Sequence, residues 1–332
     1  MSSFAFRTAA TLALALAAAL ACVRLGTPLP WMIGPLLATA LASIAGAPTR
    51  SSAPLRNGAQ LVIGTALGLY FTPQVGALVA GLWWAIGLAV AWALGIGWLF
   101  GAWLHRRHGA EMGVDAQASR ATAYFAGAIG GASEMTLLAE REGARSDMVA
   151  AAHSLRLLIV TLTIPFAFSL GGWHGMDATL PGPRTVQWTG LALLLAAAAG
   201  GAWLMQRTGR ANPWFMGALL VAMGLTLTGV ELSAMPSALS NAAQLVIGVS
   251  LGVRFQREFL RAAPRWMGSV ALGTVLMIGL CAGFAAALAA GTGLHPATLV
   301  LGTSPGGIAE MAITAKVLQL GVPVVTAFQV CR

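Results

Sequence analysis

Charge is what this sequence has least of. Only 9% of its 332 residues are charged, against about 25% in an ordinary soluble protein. That leaves too little polar sequence to cover a water-facing surface. Alternating strand patterns are also missing, which argues against a membrane barrel. Cysteine is scarce, and Cys22, Cys281 and Cys331 have no metal-ligand spacing; the two in apolar runs read as small buried hydrophobes. There is no Gly-x-Ser-x-Gly, no Walker loop and no cluster of metal ligands. The nearest approach is His105-Arg106-Arg107-His108 with Glu111 and Asp115 behind it, which reads as an ordinary basic loop. The sequence therefore predicts no catalytic residues, no metal and no cofactor, and a protein that is not an enzyme.

What is present is apolar: 58% of the residues are hydrophobic. The apolar runs recur at close to the roughly 20 residues that span a bilayer. The expectation is an all-α polytopic integral membrane protein. The formal net charge of +9 would raise nucleic acid as a partner for a soluble chain. Here eighteen of the nineteen basic residues are Arg, mostly in short loops between apolar runs, the distribution of a positive-inside membrane protein, and no nucleic-acid partner is expected. The first run, Thr8 to Val23, resembles a signal peptide, but it has a counterpart in the second half of the chain, which argues against cleavage.

The two halves are copies. The first reads as segments near 5–25, 30–47, 57–72, 76–104, 120–139 and 148–171; the second as segments near 186–206, 212–230, 238–254, 264–291, 296–318 and 322–332. This gives a first repeat over 1–171, a Gly/Pro linker over 172–185 and a second repeat over 186–332. Pro30-Trp31 returns as Pro213-Trp214. The block from Asn57 to Gly68 returns from Asn241 to Gly252, identical at nine of twelve positions without a gap. Loop charge alternates in opposite phase between the copies. Arg50 and Arg56 follow the second segment of copy one, where copy two has only Glu231. Arg254, Arg257, Arg261 and Arg265 follow the third segment of copy two, where copy one is bare. Since Lys and Arg mark the cytoplasmic side, the copies are expected to face opposite ways, as two inverted-topology repeats with the N-terminus cytoplasmic.

Inversion requires an odd number of crossings per copy, and each copy has six segments. One segment must then be a re-entrant or broken helix, leaving about five crossings. The candidates contain Gly130-Gly131-x-x-Glu134-Met135 and Gly306-Gly307-x-x-Glu310-Met311. Irregular backbone at membrane depth survives only where protein or a wet cavity surrounds it. An ionisable residue there is costly, so it is a functional candidate. Glu134 and Glu310 are read as carboxylates that couple H+ or Na+ movement to a small solute, with capping of a broken helix as the competing structural role. Freed amides beside Gly130, Gly131, Gly306 and Gly307, and hydroxyls of Ser133 and Ser304, complete the first candidate group. Arg156, three residues after His153, either snorkels to an interface or pairs with Glu134 or an anionic solute. Asn57 with Gln60, and Asn241 with Gln244, each put two amides on one helix face, for helix–helix bonding or solute contact. Copy two ends at Arg332, the counterpart of Arg156, so the helix from Leu157 to Leu170 has no partner and a truncated last helix is expected.

The duplication, the paired Asn-x-x-Gln-Leu-Val-Ile-Gly blocks and the two Gly-Gly-x-x-Glu-Met stretches resemble the bacterial membrane AbrB duplication family over nearly the whole chain. Members carry the labels ammonia monooxygenase and AbrB family regulator. The resemblance implies an inner-membrane secondary transporter, with a membrane-embedded regulator of gene expression as the alternative. The partners expected are a small solute, a coupling ion, the lipid bilayer and, as an option, further copies of the chain.

Overall fold

The computed structural model describes residues 2–175, 185–210, 212–255 and 264–332, with side chains from residue 4 onward. Linker residues 176–184 and the basic residues Arg257 and Arg261 lie outside the described residues. Every regular element among the described residues is helical. Apart from a 3-10 turn at Gly109–Glu111, in chain order they are α1 (Ser2–Arg24), α2 (Pro30–Ile44), α3 (Ala53–Gly68), α4 (Pro73–Gly81), α5 (Trp83–His108), α6 (Ala116–Gly127), α7 (Ala132–Arg141) and α8 (Ser146–Leu170). There follow α9 (Trp188–Arg207), α10 (Pro213–Leu227), α11 (Ser237–Gly252), α12 (Pro264–Thr292), α13 (Pro296–Thr303), α14 (Ile308–Val317) and α15 (Val322–Cys331).

Five of these are long and apolar enough to cross a membrane: α1, α5, α8, α9 and α12. A sixth arises if α3 and α4, bent by 89° at the break between them, count as one span. The helices α2, α10, α11 and α15 are apolar but shorter. Fifteen residues rise only about 23 Å, less than the roughly 30 Å hydrocarbon core. The exposed faces of the long helices are apolar rather than charged: Trp83, Leu94, Trp98 and Leu99 on α5, and Leu272, Val275, Leu276 and Leu280 on α12. Apolar faces of that extent fit lipid, not water, so the helices fit a multi-pass membrane protein. The run expected as one segment over 76–104 is instead two helices, interrupted at Leu82 just after Gly81.

Two compact units divide the chain. The first comprises Met1–Ala80, Pro165–Arg257 and Ala312–Pro323. Its helices pack in a chain of neighbours: α1 on α2, α2 on α11, α11 on α3, α3 on α10, and α10 on α9. Exchanging α1, α2 and α3 for α9, α10 and α11 leaves that list unchanged, and it also swaps the α1–α11 contact for the α9–α3 contact. The duplicated sequence thus makes a duplicated set of contacts. Glycine spacing explains how. A methyl group on Gly64 would meet the Phe215 carbonyl oxygen of α10, and one on Gly68 would meet Ala222 Cβ and the Leu219 oxygen. Gly248 and Gly252 stand in the same relation to Met32 and Leu36 of α2. A Gly-x-x-x-Gly pair lets two helix backbones approach closely, where dispersion contacts hold helices together in lipid. The duplication reaches single dihedral angles. Leu29 and Asn212, before Pro30 and Pro213, both take the left-handed conformation, with φ of 47° and 45°, which is uncommon for residues other than glycine.

The second unit comprises Gly81–Ile164, Glu258–Met311 and Val324–Arg332. Here α5 packs on α6 and on α12, α12 on α13, and α6 on α7. Its core gathers Ile96, Phe100 and Leu104 of α5 with Ala123 and Ala126 of α6 and Trp266, Val270 and Met277 of α12.

Candidate functional site

Both Gly-Gly stretches interrupt a helix. Between α6 and α7 the chain leaves the helix at Ala128, with φ −55° and ψ 139°, and re-enters after Gly131. Between α13 and α14 it leaves at Ser304, with φ −62° and ψ 145°, and re-enters after Gly307. The same turn at aligned positions is what one duplicated sequence should give.

The glycines are there for space rather than for unusual dihedrals. None of Gly130, Gly131, Gly306 and Gly307 has a positive φ. A methyl group on Gly131 would collide with Oε2 of Glu134, and one on Gly307 with Oε2 of Glu310. A methyl on Gly130 or Gly306 would press on Met135 or Met311. In each copy the second glycine makes room for the glutamate and the first for the methionine. Each glutamate is the third residue of its helix, and its carboxylate lies over the glycine that precedes that helix. The motif thus has a local structural cause, and a carboxylate at a helix N-terminus is favoured by the helix dipole. Glu310 is buried while Glu134 is half-buried, so copy two, not copy one, holds the more enclosed carboxyl. Ser304 is fully buried and donates to the Val300 carbonyl at 2.5 Å, whereas Ser133 is exposed.

The opposite side of each break, where helix carbonyls lose their partners, is closed by an arginine. Arg156, 3% exposed, donates from Nη1 to the carbonyls of Ala126 (3.4 Å) and Gly127 (3.3 Å) and from Nη2 to that of Ala128 (2.8 Å). It also donates from Nη2 to His153 Nδ1 at 2.8 Å, while His153 Nε2 donates to the Phe125 carbonyl at 2.9 Å. Arg332 occupies the aligned place in copy two, with one carbonyl position in common, Thr303 for Gly127. It donates to the carbonyls of Thr303 (2.8 Å) and Gly306 (3.0 Å) and to Gln329 Oε1 (2.6 Å). Gln329 Nε2 donates to the carbonyls of Leu301 (2.6 Å) and Ser304 (3.3 Å). Arg156 therefore neither snorkels nor takes Glu134 as its partner here: it completes the last turn of α6. The C-terminal end of a helix carries partial negative charge, so a cation is favoured there.

The four amides expected alongside belong to the first unit. Gln60 donates to Asn212 Oδ1 at 3.4 Å, the residue that precedes α10, which fits helix–helix bonding. Gln244 is buried, and Asn57 and Asn241 are half-buried. One residue escaped the sequence reading: Lys316, the sole lysine, donates to Ser240 Oγ on α11 at 3.2 Å. Its singularity among eighteen arginines was the available signal. Among the described residues no three His, Cys, Asp or Glu side chains come close enough together to hold a metal ion.

Comparison with known proteins bears on the whole chain. A family model described as "Transition state regulatory protein AbrB" matches residues 31–332. A Bacillus subtilis (strain 168) protein, "Uncharacterized protein YhjN", is 26% identical over 336 residues, covering 92% of this chain and 84% of that protein. The Escherichia coli (strain K12) protein "Putative regulator AbrB" is 26% identical over 315 residues, covering 92% of this chain and 86% of that protein. No solved structure matches.

Proposed function

We propose, from the premise that this chain belongs to the AbrB family, that it is a secondary transporter of a small solute in a bacterial cytoplasmic membrane, driven by H+ or Na+. The observation that carries this reading is the matched pair of helix breaks. Each has a carboxylate at the start of the helix that follows and a guanidinium at the end of the helix that precedes, buried for Arg156 and half-buried for Arg332. Broken helices with opposed dipole ends are how transporters make a polar site inside a membrane without lipid-exposed backbone. The exchangeable helix contacts of the first unit and the opposite phase of loop charge support two inverted repeats. In that reading the breaks enter as re-entrant segments from opposite faces, and the N-terminus is cytoplasmic. Glu134 and Glu310 are the coupling carboxylates, with Glu310 the stronger choice because it is the more enclosed.

Reconstituted protein should accumulate one member of a panel of labelled amino acids and small organic acids when a pH or Na+ gradient is imposed. Glu310→Gln should abolish gradient-driven accumulation. Full accumulation by both Glu134→Gln and Glu310→Gln would remove the carboxylates from the mechanism. The family description and the name of the Escherichia coli relative favour a second reading, a membrane-embedded regulator that moves no solute. A stable cytosolic partner recovered with the full chain, together with no uptake of any panel member, would decide for it.

A further inference from the structure

The two arginine sites match in more than the arginine. The Phe125 carbonyl only accepts, so His153 Nε2 carries the ring proton, and Nδ1 is left as the acceptor for Arg156 Nη2. An arginine only donates, so the imidazole between these two partners is neutral and its tautomer is set. At the aligned position Gln329 presents its Nε2 as donor to the Leu301 carbonyl and its Oε1 as acceptor to Arg332 Nη2. A neutral imidazole of this tautomer and a carboxamide offer the same pattern, a donor toward the helix end and an acceptor toward the guanidinium three residues on. Phe125 and Leu301 are themselves aligned, at the same offset as His153 and Gln329. Two different residue types have arrived at one hydrogen-bond geometry.

We infer that His153 with Arg156, and Gln329 with Arg332, are matched positioning clamps that hold the two helix breaks open, and that the Arg156 guanidinium is not a ligand for a transported anion. This deepens the transporter reading of the same site and rests on it for its purpose. A helix that stops inside a membrane strands carbonyl groups that have no water to turn to, and each costs several kcal/mol if left bare. The guanidinium satisfies them with donors fixed in one plane. Arg156 has five N–H groups, and four of them are committed, to three carbonyls and the imidazole. No pair of parallel donors remains to receive a carboxylate side-on, which is how arginine recognises an anion. The guanidinium is a fixed charge that belongs to the helix end. His153 and Gln329 orient the guanidinium beside them and also cap carbonyls themselves, Phe125 in copy one and Leu301 and Ser304 in copy two.

The test needs no substrate, so its failure and the failure of the transport reading are separable. Single reporter cysteines are placed at half-buried positions beside each break, Ile129→Cys and Ala309→Cys, in the full chain with Cys22, Cys281 and Cys331 replaced. Maleimide labelling is followed on detergent-purified protein. His153→Ala or Arg156→Ala should raise the labelling rate at position 129 by about tenfold or more, the size expected from losing hydrogen bonds to a charged group. His153→Gln should label like the parent. Arg156→Lys should not restore the parent rate, because one ammonium cannot replace a planar fork that spans three carbonyls. In copy two, Gln329→Ala should accelerate labelling at position 309 and Gln329→His should not. The inference is overturned if His153→Gln labels as fast as His153→Ala, or if His153→Ala labels like the parent. Should the alanine variants not fold, the exchange variants decide alone: His153→Gln and Gln329→His must both purify and label at the parent rate, and failure of either overturns it.

Discussion

At the scale of single residues, the glycines of the Gly-Gly-x-x-Glu-Met motif and the side chains behind them form one steric unit. Adding a methyl to Gly307 pushes into Glu310, which is buried and has little room to move; adding one to Gly131 pushes into Glu134, which is half-buried and can swing away. Gly307→Ala should therefore destabilise the protein by about 1–3 kcal/mol, and Gly131→Ala by less. Thermal melting in detergent reads the difference. Combining Gly307→Ala with Glu310→Ala should recover part of the loss, because the clash needs both groups. Equal melting of Gly307→Ala and the parent would show that the carboxyl does not lie over the glycine. The motif was legible as a functional candidate from its residue types. Its packing was not, since only the folded turn brings a glycine against the side chain three residues on. The arginine partners were hidden for a different reason. Arg156 finds main-chain oxygens 28 to 30 residues away, and a carbonyl has no residue type to betray it.

At the scale of helices, approach distance decides the packing. Gly64 and Gly68 sit against the backbone of α10, and Gly248 and Gly252 against that of α2. By contrast Gly58 on α3 and Gly95 on α5 have open space where a side chain would go. Gly64→Leu or Gly248→Leu should drive the helices apart and lower stability by about 1–3 kcal/mol or more. Gly58→Ala and Gly95→Ala should hold or raise it, since alanine is a better helix former by about 1 kcal/mol. A melting series over these four variants checks the ranking; tolerance of Gly64→Leu would mean that α3 and α10 do not pack closely. The paired Gly-x-x-x-Gly was visible in the duplicated block, but which helix each face meets was not. Copy one packs its glycine face on a helix of copy two, and copy two does the same in return. No local pattern encodes that exchange.

At the scale of the whole molecule, loop charge makes a claim about sidedness. Ala47 and Val230 are exposed and occupy equivalent places after α2 and α10. With Arg50 and Arg56 beyond the first and only Glu231 beyond the second, the copies should present these loops on opposite sides. In intact cells an impermeant maleimide should label Val230→Cys at once and Ala47→Cys only after permeabilisation. Labelling of both from outside, or of neither, would dispose of the inverted topology and of the transporter architecture built on it.

Composition and periodicity by themselves pointed to a helical chain that fits a bilayer, because a sequence this apolar and this poor in charge cannot cover a water-facing surface. Repetition determined that it is built twice from one plan, and the Gly-Gly stretches marked where two of its helices break. Only the tertiary structure decided that the helices of the first unit interleave between copies, that Glu310 is more enclosed than Glu134, and that Arg156 and Arg332 serve helix ends instead of carboxylates. The reason is common to all three. They depend on contacts between groups far apart in the chain, many of them main-chain atoms that every residue carries alike, and such contacts exist only once the backbone has a path.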